Sequence, residues 1–198
     1  MFPMHEIAPG IRHWTAEHPK LGIDVSSYWL AGLKVLLDPI AVPDEVEDVD
    51  EILLSNRNHL RGAVEARQRL GATIRAPRAG RDEFDDDDPV EFYDFEEALV
   101  GGAVTAYQVT ELWPDDCALH IPSLNALAIA DTVLHYEEQL AFVPEQYMDD
   151  PESEKRALHE GLARMAERLQ FEHLLLAHGS PIPGEGRERL REFAAGPG

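Results

Sequence analysis

Apolar positions along this chain fall in short blocks separated by turn residues. Ile11–Glu17 and Asp24–Leu30 alternate or carry β-branched and aromatic residues, the pattern of strands. Gly32 permits a turn into residues 33–37, a buried strand ending at Asp38-Pro39. Residues 39–50, rich in proline and acid, read as a loop or short helix, and residues 51–54 as a short buried strand. Leu60, Ala63, Val64, Arg67 and Leu70 then recur at three- and four-residue spacing, which predicts a helix. Gly71 closes it as a left-handed C′ residue. Residues 72–76 follow as a strand, completing a strand–helix–strand unit with short links.

The second half repeats the mixture. Residues 97–100 and 103–109 flank Gly101-Gly102, a hairpin signal. Residues 117–121 and 125–130 read as two more short strands around Pro122-Ser123. Residues 152–169 carry Leu158, Leu162, Met165, Ala166 and Leu169 on one helical face. Residues 171–177 read as a buried strand and residues 185–193 as a closing helix. The expected fold class is α+β: an αββα sandwich, two mixed sheets face to face with helices outside. With no internal repeat or interdomain linker, residues 1–198 read as a single domain.

Composition narrows the function classes. A hydrophobic fraction of 44% is ordinary for a globular chain. No window approaches a membrane-spanning apolar run, and the amino terminus lacks the pattern of a secretory signal, so the expected location is cytoplasmic. Cys117, the only cysteine, excludes an intrachain disulfide and a cysteine-based zinc cluster, and it reads as a buried inert thiol. The net charge of −21 disfavours nucleic acid and anionic membranes as partners. A polyanionic substrate would need a local basic pocket or a metal to offset that field. Asp85-Asp86-Asp87-Asp88 lacks the alternating ligands and glycine of a calcium loop and reads as solvated. Ser123 and Ser180 lack a nucleophile-elbow context, and no phosphate loop is present. Trp14, Trp29 and Trp113 read as core or cleft-wall residues. His5, His13 and His18 are too scattered for a ligand cluster.

Four segments carry a resemblance. They are the strand ending Leu36-Leu37-Asp38, the strand Ile52-Leu53-Leu54 running into a turn and helix, the strand ending Ile129-Ala130-Asp131, and Leu174–Leu176 running into Ala177-His178-Gly179. In this order the chain resembles the metallo-β-lactamase fold superfamily over roughly residues 25–193. The resemblance implies a Thr-His-x-His-x-Asp-His turn in active hydrolases. Here that turn reads Ser55, Asn56, Arg57, Asn58, His59, Leu60, Arg61. Asn56 and Asn58 stand for two imidazoles, Leu60 for the second-metal aspartate and Arg61 for its histidine. Counting back from Asp131 without gaps puts Leu112 at a further histidine position. Only Asp131 and His178 match ligand positions by type.

That substitution pattern implies a degraded metal site. Leucine offers no donor, and a guanidinium is a permanent cation. Arg61 about 5 Å from a dication would cost roughly 6–7 kcal/mol at an effective dielectric of about 20. No cofactor is therefore expected, and the preferred reading is a pseudoenzyme or a metal-independent protein that binds an unknown small molecule or acts through homo-oligomerisation. One expectation is that Arg61, or Arg57 if the turn is rotated, forms an ion pair with Asp131 and replaces the metal's charge, with His178 adding a hydrogen bond. The alternative is that Arg61 points to solvent. His59 either swings toward the cleft or sits at the surface or as a cap. Asp38 matches a residue that buttresses the turn in relatives and would hold Ser55 to Asn58 in place. Two rival functions stay open. One is a hydrolase of a small ester, thioester or lactone using a single zinc, manganese or iron ion held by Asp131, His178 and a neighbouring histidine, with His120 and His135 as candidates. The other is an interaction module whose acidic surface recruits a basic partner.

Overall fold

Leu174, Leu175 and Leu176 are all buried, and the reason is architectural. A computed structural model, which describes residues 3–18 and 20–196, packs two sheets face to face and covers each outer face with helices. Leu175 points into the layer between the sheets, with Ile11, Leu30, Leu37, Leu53, Val104 and Leu119. Leu174 and Leu176 point the other way, toward a helix pair. A strand covered on both faces is apolar throughout, whereas one with a wet face alternates.

The first sheet runs in chain order through β1 (His5–Ala8), β2 (Ile11–Glu17), β3 (Asp24–Leu30), β4 (Val35–Leu37), β5 (Glu51–Leu53), β6 (Thr73–Pro77) and β7 (Val90–Tyr93). β1 to β4 form an antiparallel meander, and β4 to β7 are parallel. Between β5 and β6 lies α1 (Ala63–Leu70), whose Ala63 and Ala66 pack with Leu36, Ile52, Leu54 and Ile74 on the outer face. Gly71 ends α1 in the left-handed region at φ 74°.

The second half supplies β8 (Ala98–Leu99), β9 (Val104–Thr110), β10 (Trp113–Ile121), β11 (Ala126–Ile129), a separate small hairpin of β12 (Leu134–Tyr136) and β13 (Gln139–Ala141), and β14 (His173–Leu176). The second sheet has the order β14-β11-β10-β9-β8 and is antiparallel except where β14 lies parallel to β11. Its outer face is covered by α2 (Pro151–Arg168) and α3 (Gly186–Ala194), through Leu158, Leu162, Met165 and Leu190. Among the described residues no helix is long and apolar enough to cross a membrane.

The expected helix from Leu60 onward is broken in two. A 3₁₀ turn spans Arg57–Leu60, and α1 starts only at Ala63. The break sits at Arg61, with φ 22° and ψ −108°. Gly62 explains it: its N–H donates to the Pro39 carbonyl at 3.2 Å, and a Cβ there would lie 3.0 Å from Ile40 Cα. The turn is pressed onto the backbone after β4, and a continuous helix does not fit. The strands β1, β7, β12 and β13 lie outside the sequence expectations, being short and polar-faced.

Candidate functional site

Four strands end at one place. β4 and β5 are parallel, with Leu37 opposite Leu53. β11 and β14 are parallel, with Ile129 opposite Leu176. The chain therefore emerges from each pair on the same edge, delivering Asp38, Ser55, Asp131 and His178. The two sheets are tied there by backbone bonds from Cys117 N–H to Ser55 O at 3.0 Å and from Ser26 N–H to Ala177 O at 2.9 Å. The Tyr28 hydroxyl donates to Leu176 O at 2.7 Å and accepts from Leu176 N–H at 2.9 Å.

Asp38 anchors the turn after β5. Its Oδ1 accepts from the Ser55 N–H at 2.8 Å and its Oδ2 from the Ser55 hydroxyl at 2.5 Å. The next link is His59. It is fully buried, with Nδ1 3.1 Å from Asp38 Oδ1 and 3.0 Å from Ser55 Oγ. Its other nitrogen, Nε2, lies 3.0 Å from Asp131 Oδ1. His178 Nε2 reaches the same oxygen at 2.9 Å. Asp131 Oδ2 accepts from the Asn56 amide at 2.9 Å. Both oxygens of Asp131 are thus taken by protein donors.

A second carboxylate stands behind. Asp116 on β10 is buried and accepts from the Asn56 amide at 3.0 Å, from Asp131 N–H at 3.0 Å and from Thr132 N–H at 3.0 Å. Burial, followed by the charge of Asp131, pushes the Asp116 carboxyl up to about 7, against the hydrogen bonds that stabilise its anion. Asp131 goes the other way. Burial opposes its ionisation, but the charge of His59 and the hydrogen bonds from His178 and His59 hold it well below the usual carboxylate range. Asp38 is also lowered: burial is the largest influence and opposes ionisation, yet His59 and Ser55 outweigh it. For His59, burial and the charge of Arg61 favour the neutral ring, but Asp38 and Asp131 on either side raise its pKa to about 9. An imidazole between two carboxylates needs a proton on each nitrogen, and the raised value agrees with that geometry.

The remaining residues of the turn separate. Asn56 caps the 3₁₀ turn, its Oδ1 accepting from Asn58 N–H at 2.9 Å. Its oxygen is spent on backbone and its NH₂ faces two carboxylates, so it presents donors to the site. Asn58 is exposed, and Leu60 packs against the outer core with α1. Arg57 turns away to Asp115 and Glu83, at 3.7 and 3.6 Å. The expected ion pair of Arg61, or of Arg57, with Asp131 is not formed: among the described residues no carboxylate lies within 4.0 Å of Arg61. His59 takes the place assigned to Arg61, because the bend at Arg61-Gly62 swings the guanidinium off while the 3₁₀ turn points the imidazole inward. Arg61 does not point to solvent either: its Nε and Nη1 are buried without partners.

His120 and His135 lie elsewhere. His120 Nε2 pairs with Gln170 O at 2.9 Å, and His135 Nδ1 with Ser180 O at 2.8 Å. Leu112 is 52% exposed in the turn before β10. Asp116, which the ungapped count passes over, is the β10 residue that faces Asp131. The antiparallel register of β10 and β11 could have found it, since it pairs residues whose numbers sum to 247. The His178 loop is held by Gly179, at φ +85°, where a Cβ would lie 1.8 Å from His135 O.

Around Asp131 the possible ligands are the imidazoles of His59 and His178, while the Asn56 amide turns its NH₂ inward and offers no ligand atom. One ion does fit: His59, Asp131 and His178 offer ligand atoms within 4.8 Å of one another, and Asp38 fixes the His59 ring from behind, as carboxylates do behind metal-bound imidazoles.

No family model and no curated protein matches the sequence. Solved structures do match. DIM-1 metallo-β-lactamase superposes with a TM-score of 0.72 at 11% identity, covering 98% of this chain and 97% of that one. The metallo-β-lactamase from Pontibacter korlensis gives 0.69 at 13% identity, with full coverage (100%) of both chains. Rubredoxin oxygen:oxidoreductase from Desulfovibrio gigas gives 0.66 at 16% identity, and the match covers 98% of this chain but only 62% of that protein. Four layers, the strand order and these superpositions lead to one conclusion: this chain has the metallo-β-lactamase fold.

Proposed function

We propose that this protein binds a small molecule without a metal, at the strand ends where its structural neighbours are metalloproteins, and that the His59 imidazolium takes the charge role of an ion. The observation that carries this reading is the position of His59 between Asp38 and Asp131, at 3.1 and 3.0 Å. A buried carboxylate needs a compensating charge or donor, and here one ring serves two of them. Arg61 adds to the support. Its fixed charge is the second-largest influence on His59 and would repel a dication at the same spot. On this reading the chain is a pseudoenzyme with respect to metal-assisted hydrolysis.

A second reading, hydrolysis of a small ester, thioester or lactone with one zinc, manganese or iron ion, is favoured by the convergence of His59, Asp131 and His178. When bound there, an ion would polarise a carbonyl or acidify a water. The chain's own part would be to orient His59 through Asp38 and Asp131 through Asn56.

Elemental analysis of the purified protein, before and after incubation with zinc, manganese and iron(II), separates the two. The metal-free reading expects content far below one ion per chain under every condition. Near-stoichiometric metal that Asp131→Ala removes would establish the second reading instead.

A further inference from the structure

The outer face of the second sheet carries a groove that the strand-end site does not use. α2 is pressed onto β9 at Gly161, where a Cβ would stand 2.1 Å from Val109 O. Beyond that contact, toward the end of α2, a groove of about 270 Å³ opens between the helix and Tyr107 on β9. Its far wall is the Phe95-Glu96 turn. That turn is tied to β9 by the Glu96 N–H, which donates to Ala106 O at 2.8 Å, and it bends through Glu96 at φ 62°. Met165 and Leu169 are buried, and Phe95 and Tyr107 partly so, which gives the groove apolar and aromatic walls. Arg164 and Arg168, one turn apart on α2, line its helix side.

These two arginines differ from their neighbours on the last helices. Arg156 pairs with Glu152, and Arg191 with Glu188. Arg187 caps the end of α2: its Nε donates to Ala166 O at 2.7 Å and its Nη2 to Glu167 O at 3.3 Å. The negative end of the helix dipole is therefore already met without Arg164 or Arg168. Glu160 and Glu167 sit one turn before and after Arg164 in the sequence, yet among the described residues no carboxylate lies within 4.0 Å of either arginine. Like charges four residues apart on a helix repel. In a chain with 38 acidic residues against 17 basic ones, such an unpaired couple is an exception. Glu96 on the opposite rim is exposed, so two cations face one carboxylate across the groove.

Two guanidinium groups beside apolar and aromatic walls match a molecule with an anionic oxygen edge and a flat hydrocarbon body. Sites for drug-sized ligands run to about 300–1,000 Å³, so the volume here suits a body of about one or two rings. We propose that this groove is a second ligand site and that it takes a small aryl oxyanion, a carboxylate or phosphate monoester. Arg164 and Arg168 hold the charged edge, and the rings rest on Tyr107, Met165 and Leu169. The groove shares no residue with the strand-end site, so failure of either reading leaves the other standing.

The test is titration of the full-length, ¹⁵N-labelled protein with 2-naphthoate, 1-naphthyl phosphate and the neutral 2-naphthamide. It follows the backbone amides of residues 107–108 and 161–169 and the Nε–H signals of Arg164 and Arg168. The expected result is a saturable shift confined to these signals, with 2-naphthamide at least about tenfold weaker than the better anion. The ranking of the two anions shows whether a carboxylate or a phosphate edge fits. Arg164→Gln and Arg168→Gln should each weaken anion binding several-fold, and the double variant by about tenfold or more, with 2-naphthamide binding unchanged. Both side chains are exposed, so these variants keep the fold. Equal binding of 2-naphthamide would overturn the proposal, as would anion binding indifferent to the double variant. So would shifts of equal size at Arg156 and Arg191, or no saturable shift at millimolar anion. Groove signals that move with protein concentration alone would overturn it too, by giving the groove to a second copy of the chain.

Discussion

His59 and Asp131 meet across the two sheets: the imidazole, carried by the turn after β5, places Nε2 3.0 Å from the Oδ1 of a carboxylate at the end of β11. With Asp38 on its other nitrogen, the ring links three strand ends. Removing it leaves the buried Asp38 and the partly buried Asp131 without that cation. His59→Leu should therefore destabilise the fold by about 3–5 kcal/mol, the usual effect of breaking a buried pair from one side. Urea unfolding measures it. Adding Asp131→Asn to His59→Leu should recover part of the loss, whereas a loss of under about 1 kcal/mol would mean that the ring is not compensating these charges.

Asn56 keeps two carboxylates apart by donating to both, at 3.0 Å to Asp116 and 2.9 Å to Asp131. Asn56→Asp replaces those donors with a third negative charge. The expected destabilisation is about 2–4 kcal/mol near neutral pH, from two lost charge-assisted bonds and added repulsion. It should shrink on acidification, as Asp116 takes up a proton. Chemical denaturation at two pH values checks both the size and the trend.

His13 gives a pH dependence away from the site. Its Nε2 donates to Ser26 Oγ at 2.9 Å, and that hydroxyl donates to Gly179 O at 2.8 Å. Burial, with a smaller contribution from the charge of His5, lowers the His13 pKa from 6.5 to about 4. The folded state therefore holds the ring neutral where the unfolded chain would protonate it. The stability from this group is complete above 6.5 and is lost as pH falls toward 4, with no further loss below. The full span corresponds to about 3 kcal/mol. His13→Gln should flatten this limb, so that the wild-type advantage over the variant falls by about 2 kcal/mol between about pH 7.5 and pH 5. An unchanged difference would show that His13 titrates normally.

Gly179 sets the approach of the His178 loop to the small hairpin. Gly179→Ala would push a methyl to within 1.8 Å of His135 O at a φ of +85°. The cost should exceed about 3 kcal/mol, since backbone must move on both sides. In a folded Gly179→Ala protein, the His178 ring signals should shift while those of His120, on the far side of the second sheet, stay in place.

Much of the architecture was legible in the apolar pattern. Leu36-Leu37, Ile52-Leu53-Leu54, Ala126–Ile129 and Leu174–Leu176 are uninterrupted because both faces of each strand are covered, and that signature survives without any partner in view. The face of α2 carrying Leu158, Leu162 and Met165 is equally local. The short strands β7, β12 and β13 left no such trace, because they depend on neighbours for pairing.

The amino-acid sequence by itself determined the four-layer plan and the strand ends that deliver Asp38, Ser55, Asp131 and His178. These follow from residue chemistry and from periodicities set within a few residues. Only the tertiary structure decided which cation faces Asp131. His59 and Arg61 are two residues apart, and their directions depend on a backbone bend forced at Gly62 by the distant Pro39–Ala41 segment. Asp116 entered the site through strand register, and His135 was drawn away from it by the Ser180 carbonyl. A side chain's direction at a turn is a property of what the turn packs against, and that contact is made only when both sheets are in place.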